Sequence, residues 1–172
     1  MRCDCFHKID YSSDNVDIRN YCQGDEILWA EIETAIGDFE STENALEYFN
    51  LHYKTDDIFE RCFFAKCENK IVGTCIAWYD FKDNKKISSL HWMAVLPGYQ
   101  GRGIGKKLLN SVMQFYNSND LMPVYLHTQP WSYKAVGLYL SAGFEFQQSD
   151  TFANYKNEYN DAIEILKNYM IL

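Results

Sequence analysis

The chain reads as a mixed α/β fold, in which an antiparallel meander leads into a half where strand, helix, strand, helix and strand alternate. Three observations predict it. First, RCFFAKC at 61–67, KIVGTCIAWY at 70–79 and the run from Ile87 to Val95 are apolar and β-branched, and short polar turns at Glu68-Asn69-Lys70 and Asp83-Asn84 separate them. Second, Ile104, Leu108, Leu109, Val112 and Tyr116 recur at helical spacing just after Pro97-Gly98 breaks the preceding strand, which predicts a helix over 103–117. Third, PVYLHT at 123–128 reads as a strand, 132–141 as a helix and GFEFQQ as a further strand. Upstream, residues 15–21 form a short strand, and Leu28, Ile32, Ala35 and Ile36 predict a helix over 25–36 behind Gly24-Asp25. Ser41 and Thr42 are good caps for a second helix whose Leu46, Phe49 and Tyr53 share a face. Tyr159, Ile163, Leu166 and Met170 stay in step along a closing helix over 157–170.

A length of 172 residues is the usual size of one domain, and no repeat, low-complexity tract or Pro/Gly/Ser-rich linker marks a boundary. We therefore expect a single domain over 1–172, with 1–14 as an extension. Sixteen basic against 24 acidic residues give a net charge of -8, which opposes binding to nucleic acid and to anionic membranes and favours cationic partners such as amines. No run of ~18 apolar residues occurs and the start lacks a signal-like stretch, so a cytoplasmic location is expected. The six cysteines then read as reduced thiols. Cys3, Cys5 and His7 would share a face on a strand and begin a metal site, but no second cluster completes a tetrahedron, and no metal is expected.

The chemistry concentrates in Val95-Leu96-Pro97-Gly98-Tyr99-Gln100-Gly101-Arg102-Gly103-Ile104-Gly105-Lys106, where three alternating glycines join a strand end to a helix start. First-turn N–H groups lack intrahelical partners and sit at the positive end of the helix dipole, and missing side chains let an anion reach the backbone. Arg102 and Lys106 add positive charge, so the loop reads as a phosphate cradle. A Walker-type loop would need Gly at Gln100 and Ser or Thr at Lys107, and a dinucleotide fingerprint would need Gly at Lys106 or Leu108. Both are excluded.

What remains resembles the GNAT superfamily of acyl-CoA-dependent N-acetyltransferases. Gln100-Gly101-Arg102-Gly103-Ile104-Gly105 is similar to its Gln/Arg-x-x-Gly-x-Gly/Ala loop, after a strand ending in Met-Ala-Val-x-Pro. Ala135-x-x-Leu138-Tyr139-x-x-x-Gly143-Phe144 is similar to its second motif, with Ser132 where the family often has Asn. The resemblance covers about residues 60–146. It implies a splayed pair of central strands and acetyl-CoA as co-substrate. Its pyrophosphate would lie on the backbone from Gln100 to Lys106, and its pantetheine arm along Met93 and Val95 with a contact from Ser132.

Aminolysis of a thioester needs a neutral amine, a polarised carbonyl and a proton for the departing thiolate. Tyr139 resembles the family's tyrosine acid, and a phenol of pKa ~10 protonates an alkyl thiolate without being ionised at neutral pH. His91 shares a strand face with Met93 by alternation and is either the base, as in members with a histidine there, or a satisfied core histidine. Asp38 and Glu40, in the loop that lines the family's acceptor pocket, hold a cationic amine, relay a proton or are simply solvated. Trp131, Tyr133 and His127 either line the other wall or pack around Pro130. The expected activity is acetyl transfer to a primary amine of a small molecule or peptide, the alternative a catalytically silent acyl-CoA-binding module. The acceptor and the oligomeric state, with a homodimer left open, are not legible.

Overall fold

The computed structural model describes residues 1–12 and 15–171, so Ser13 and Asp14, within the expected extension, and Leu172 lie outside the described residues. Six strands form one mixed sheet: β1 (Arg2–Cys3), β2 (Val16–Asn20), β3 (Cys62–Cys67), β4 (Lys70–Lys82), β5 (Lys85–Val95) and β6 (Val124–Tyr125), in the order β1-β6-β5-β4-β3-β2. The helices are α1 (Glu26–Ile36), α2 (Thr42–His52), α3 (Ile58–Arg61), α4 (Ile104–Ser118), α5 (Tyr133–Ser141) and α6 (Tyr159–Leu166). None among the described residues is long and apolar enough to cross a membrane. Chain contacts divide the molecule into two compact units, one of Met1–Ile9, Trp78–Leu90 and Met113–Leu172, the other of Asp10–Ala77 and His91–Val112.

The second of these units contains the hairpin of β3 and β4. Glu68 and Asn69 both adopt positive φ, 50° and 69°, the left-handed pair that matches the twist of a two-residue turn. β2 pairs antiparallel with β3, from Val16↔Cys67 to Asn20↔Phe63. Gly73 lets the strands close up: a Cβ there would stand 2.8 Å from the Ala94 carbonyl and 3.0 Å from Leu108 Cδ1. The Ser41 hydroxyl accepts from the Asn44 amide at 3.2 Å and starts α2 as its cap, as its sequence predicts.

α1 is rotated from its expected face. Trp29, Ala30, Ile32 and Glu33 are buried, whereas Ala35 is exposed. The cause is aromatic packing, because the Trp29 ring lies 5.1 Å from Phe49 and 5.5 Å from Trp92 and turns its own stripe inward. Glu33 follows it on the same face, fully buried, with no hydrogen-bond partner for either carboxylate oxygen among the described residues. Burial first, and the charge of Asp38 second, push this carboxyl well above the usual range. Above the ordinary carboxyl pKa of ~4.3 the folded chain holds a proton that the unfolded chain has lost, so stability falls as pH rises toward the raised value. Glu33→Met is expected to raise stability at pH 8 by about 1–3 kcal/mol, the cost of an unpaired buried polar group, with a smaller gain at pH 4. Urea unfolding at both pH values checks this, and a gain independent of pH would contradict it.

The other unit is built on β6, which pairs parallel with β5 through Ser88↔Val124 and Ser89↔Tyr125, and antiparallel with β1. β6 ends at Tyr125, whereas β5 runs on to Val95. Tyr116 of α4 is fully buried and its hydroxyl reaches the carbonyls of Ser89 at 2.6 Å and Trp78 at 3.2 Å. GFEFQQ, expected as the last strand, forms none. Only Glu145 pairs, in an isolated bridge with Arg2, because β1 from the far end of the chain occupies the flank of β6. α6 is also shorter than expected. β1 ends at Cys3, so alternation does not extend to Cys5 and His7: Cys3 is buried, its thiol directed at the Ala142 carbonyl and pushed up to about 11 by burial, while Cys5 and His7 are exposed.

Candidate active site

The strand β5 delivers the chain to the glycine loop. After Val95, Pro97 to Tyr99 make one 3-10 turn, and Gly101 and Gly103 then take φ of 78° and 77°, left-handed values that favour glycine. At Gly101 open space faces the missing side chain, so the backbone conformation, rather than crowding, is what requires glycine. The Lys107 amide donates to the Gly103 carbonyl at 3.0 Å, which leaves the amides of Ile104, Gly105 and Lys106 ahead of the first intrahelical bond of α4. Ile104 is buried and anchors the turn, while Arg102 and Lys106 are exposed. The Arg102 guanidinium lies 5.1 Å from the Tyr99 ring centre, and Lys106 Nζ is 3.4 Å from the Asp10 carbonyl. Amides ahead of the first intrahelical bond, a helix of fifteen residues behind them and two cations fit a pyrophosphate group. Gln100 donates its side-chain amide to the Val95 carbonyl at 3.0 Å and ties the loop to the strand end.

Within β5, Trp92 adopts φ 48°, a position that few non-glycine residues tolerate. Regular alternation stops there. His91 and Trp92, which a flat strand would send to opposite faces, both reach the hydroxyl of Tyr53: His91 Nδ1 at 2.6 Å and Trp92 Nε1 at 2.7 Å. The alternation that would pair His91 with Met93 therefore does not carry across Trp92. An indole only donates, so the Tyr53 oxygen accepts from Trp92. The contact of the same hydroxyl with Nδ1 orients the imidazole ring. Tyr53 and Trp92 were not singled out as site residues in the sequence, because the link between α2 and β5 depends on the turned backbone at Trp92.

The loop between α1 and α2 joins the same cluster. Phe39 packs 5.3 Å from Trp92, 5.7 Å from Trp29 and 5.4 Å from Tyr48, which places its neighbours Asp38 and Glu40 beside the strand that carries His91. Partial burial raises the Asp38 carboxyl above its ordinary value, and Glu40 is exposed.

Tyr139 and Ser132 belong to the other unit, together with Trp131, Tyr133 and His127. Tyr139 is buried on α5 with its ring 5.8 Å from Phe144, and its carbonyl accepts the Phe144 amide at 3.0 Å. Ser132 precedes α5, and its hydroxyl makes no capping bond to that helix. Trp131 is largely exposed, Tyr133 stacks 4.8 Å from Tyr169 and His127 stacks 4.0 Å from Tyr155. Among the described residues no three His, Cys, Asp or Glu side chains come together as a metal site.

Residues 25–144 match the acetyltransferase (GNAT) family over more than half of the chain. The chain belongs to the GNAT acetyltransferases. N-acetyltransferase 8B of Homo sapiens is 34% identical over 87 residues, covering 49% of this chain and 38% of that protein. The N-alpha-acetyltransferase RimI of Mycobacterium tuberculosis (strain ATCC 25618 / H37Rv) is 39% identical over 56 residues, covering 33% and 34%. These matches span well under half the length of either relative. In fold, the chain resembles the aminoglycoside N-acetyltransferase AAC(6')-Iy solved with CoA, with a TM-score of 0.64 at 17% identity over 83% of this chain and 95% of that one. A GNAT acetyltransferase from Staphylococcus aureus Mu50 gives 0.60 at 24% identity, over 79% and 89%. In this GNAT chain the matched span contains the glycine loop, β5 and α5, and ends at Phe144.

Proposed function

We propose that this GNAT acetyltransferase moves the acetyl group of acetyl-CoA to a primary amine by direct attack within a ternary complex, as a cytoplasmic enzyme of small-molecule or peptide amines. The observation that carries the reading is the left-handed glycine pair ahead of first-turn amides of α4 that precede its first intrahelical bond, with Arg102 and Lys106 beside them. Backbone amides from Gln100 to Lys106 would hold the pyrophosphate, the main chain of Met93 and Val95 the pantetheine arm, and the Ser132 hydroxyl a polar atom of that arm. When bound, the thioester supplies an activated acyl carbon.

The residues of the chain then handle protons. Asp38 and Glu40 draw the cationic amine to the α1–α2 loop. His91, braced by Tyr53, takes a proton from the ammonium, directly or through water. The freed nitrogen forms a bond to the acyl carbon, the carbon–sulfur bond breaks, Tyr139 gives its hydroxyl proton to the departing thiolate, and the surplus proton on the acylated nitrogen passes through water to the tyrosinate, leaving a neutral amide. Desolvation pushes up the buried thiols of Cys62 and Cys75, which makes both poor nucleophiles and disfavours an acyl intermediate on either.

The test follows amine-dependent release of the CoA thiol across pH. The rate is expected to rise with pH, and His91→Gln to remove that rising limb while leaving CoA affinity unchanged. A limb that survives the substitution would move the base elsewhere, with Glu40 or a water chain next in line.

A further inference from the structure

Glu33 of α1 lies within the unit of Asp10–Ala77 and His91–Val112, fully buried, with no hydrogen-bond partner for either carboxylate oxygen among the described residues. One turn earlier on the same face, the indole nitrogen of Trp29 is also buried and unpartnered among the described residues. The groups around Glu33 offer no countercharge. Asp38, in the α1–α2 loop, repels its charged form. Cys62 of β3 and Cys75 of β4 are buried thiols whose own ionisation Glu33 opposes, after the larger effect of their desolvation. Arg19 of β2, which acts on Cys62, is committed to both oxygens of Asp25. From α2 and β5, Phe49, Tyr53 and Trp92 pack against the Trp29 ring, and His91 is held by the Tyr53 hydroxyl.

A carboxyl in such surroundings is tolerated while it carries its proton, because an unpaired charge is held out of water only at great cost. When the proton leaves, water must reach the carboxylate, and the end of α1 offers the shortest route. Ala35, Gly37 and Asp38 are exposed there, and Gly37 takes a left-handed φ of 93°. That turn is fastened to Glu33 itself: the Asp38 amide donates to the Glu33 carbonyl at 3.0 Å, and the Gly37 amide donates to the Glu33 and Thr34 carbonyls. Phe39, next in the chain, packs on Trp29 at 5.7 Å and on Trp92 at 5.3 Å. Hydration of Glu33 therefore loosens the turn and lifts Phe39 from two indoles, a local opening rather than a global one.

We propose that Glu33 and the segment 34–40 form a proton-operated catch, in which the protonated carboxyl keeps the α1–α2 loop packed and loss of its proton releases the loop. Burial first, and Asp38 second, raise the carboxyl in the packed state, so that state holds a proton which the opened one gives up, and opening is favoured as pH rises. Because Asp38 and Glu40 lie on the loop, the catch regulates capture of the amine, a consequence that rests on the acetyl-transfer reading.

Tryptophan emission and hydrogen exchange, read from pH 5 to pH 9 with no substrate present, test the catch. In the parent chain the emission is expected to shift to the red as pH rises and water reaches Trp29 and Trp92. Glu33→Gln, which cannot ionise, should abolish the shift, and Glu33→Met should do the same, so the result does not depend on the folding of one variant. At pH 9 the Gly37 and Asp38 amides are expected to exchange at least tenfold faster in the parent than in Glu33→Gln, with those of Leu108 to Val112 equal in both. With acetyl-CoA and a primary amine, the ratio of the parent amine KM to that of Glu33→Gln should grow with pH. A red shift that survives both substitutions, or equal exchange at Gly37 and Asp38, would overturn the catch. Faster exchange spread evenly into α4 would also overturn it, as a global loss of stability. Opening without acetylation of any amine would support the catch and overturn transfer, and transfer with pH-independent emission would do the reverse.

Discussion

Tyr139→Phe is expected to lower turnover by about 10²–10⁴-fold, the range that a positioned general acid contributes, with CoA affinity unchanged. The substitution removes only the hydroxyl. The ring stays buried and keeps its contact with Phe144 at 5.8 Å, so the loss would reflect chemistry rather than folding. Steady-state kinetics with acetyl-CoA and a primary amine, beside a CoA titration, separate the two parameters. A rate within twofold of the parent would make Tyr139 a packing residue.

The second large effect is expected at Gly103. Its φ of 77° costs a residue with a Cβ about 1–2 kcal/mol, and Gly103→Glu adds a carboxylate where phosphate is to be held. At about 1.4 kcal/mol for each factor of ten, the strain and the like charge together weaken CoA binding by at least about tenfold. Gly98→Glu, with the same charge at a site that has open space and no left-handed φ, controls for net charge and should bind CoA nearly as the parent does. Equal losses in the two variants would remove the loop from the binding site.

The parts of this fold that were legible in the sequence are those set by local periodicity and turn chemistry. Ile104, Leu108, Leu109, Val112 and Tyr116 all prove to be buried along α4, and the turns at Glu68-Asn69 and Asp83-Asn84 take the left-handed conformations that such residues tolerate. The family resemblance along the loop and α5 was legible for the same reason, since its motifs are contiguous. What escaped is non-local. A strand at GFEFQQ needed a free sheet edge, and that edge is taken by residues from the opposite end of the chain. The burial of Glu33 is not legible in spacing, because it follows from the pull of Phe49 and Trp92 on Trp29. The same holds for the joint hold of Tyr53 on His91 and Trp92.

Direct transfer of acetyl from acetyl-CoA to an amine requires both to be bound at once. Initial rates of thiol release, measured with both substrates varied and with the acetylated amine counted by mass spectrometry, test it most directly. Direct transfer predicts double-reciprocal lines that intersect and one acetylated amine for each thiol released. Parallel lines with an acetylated protein would contradict direct attack, and tight CoA binding with no amine-dependent release would mark a silent acyl-CoA-binding module instead.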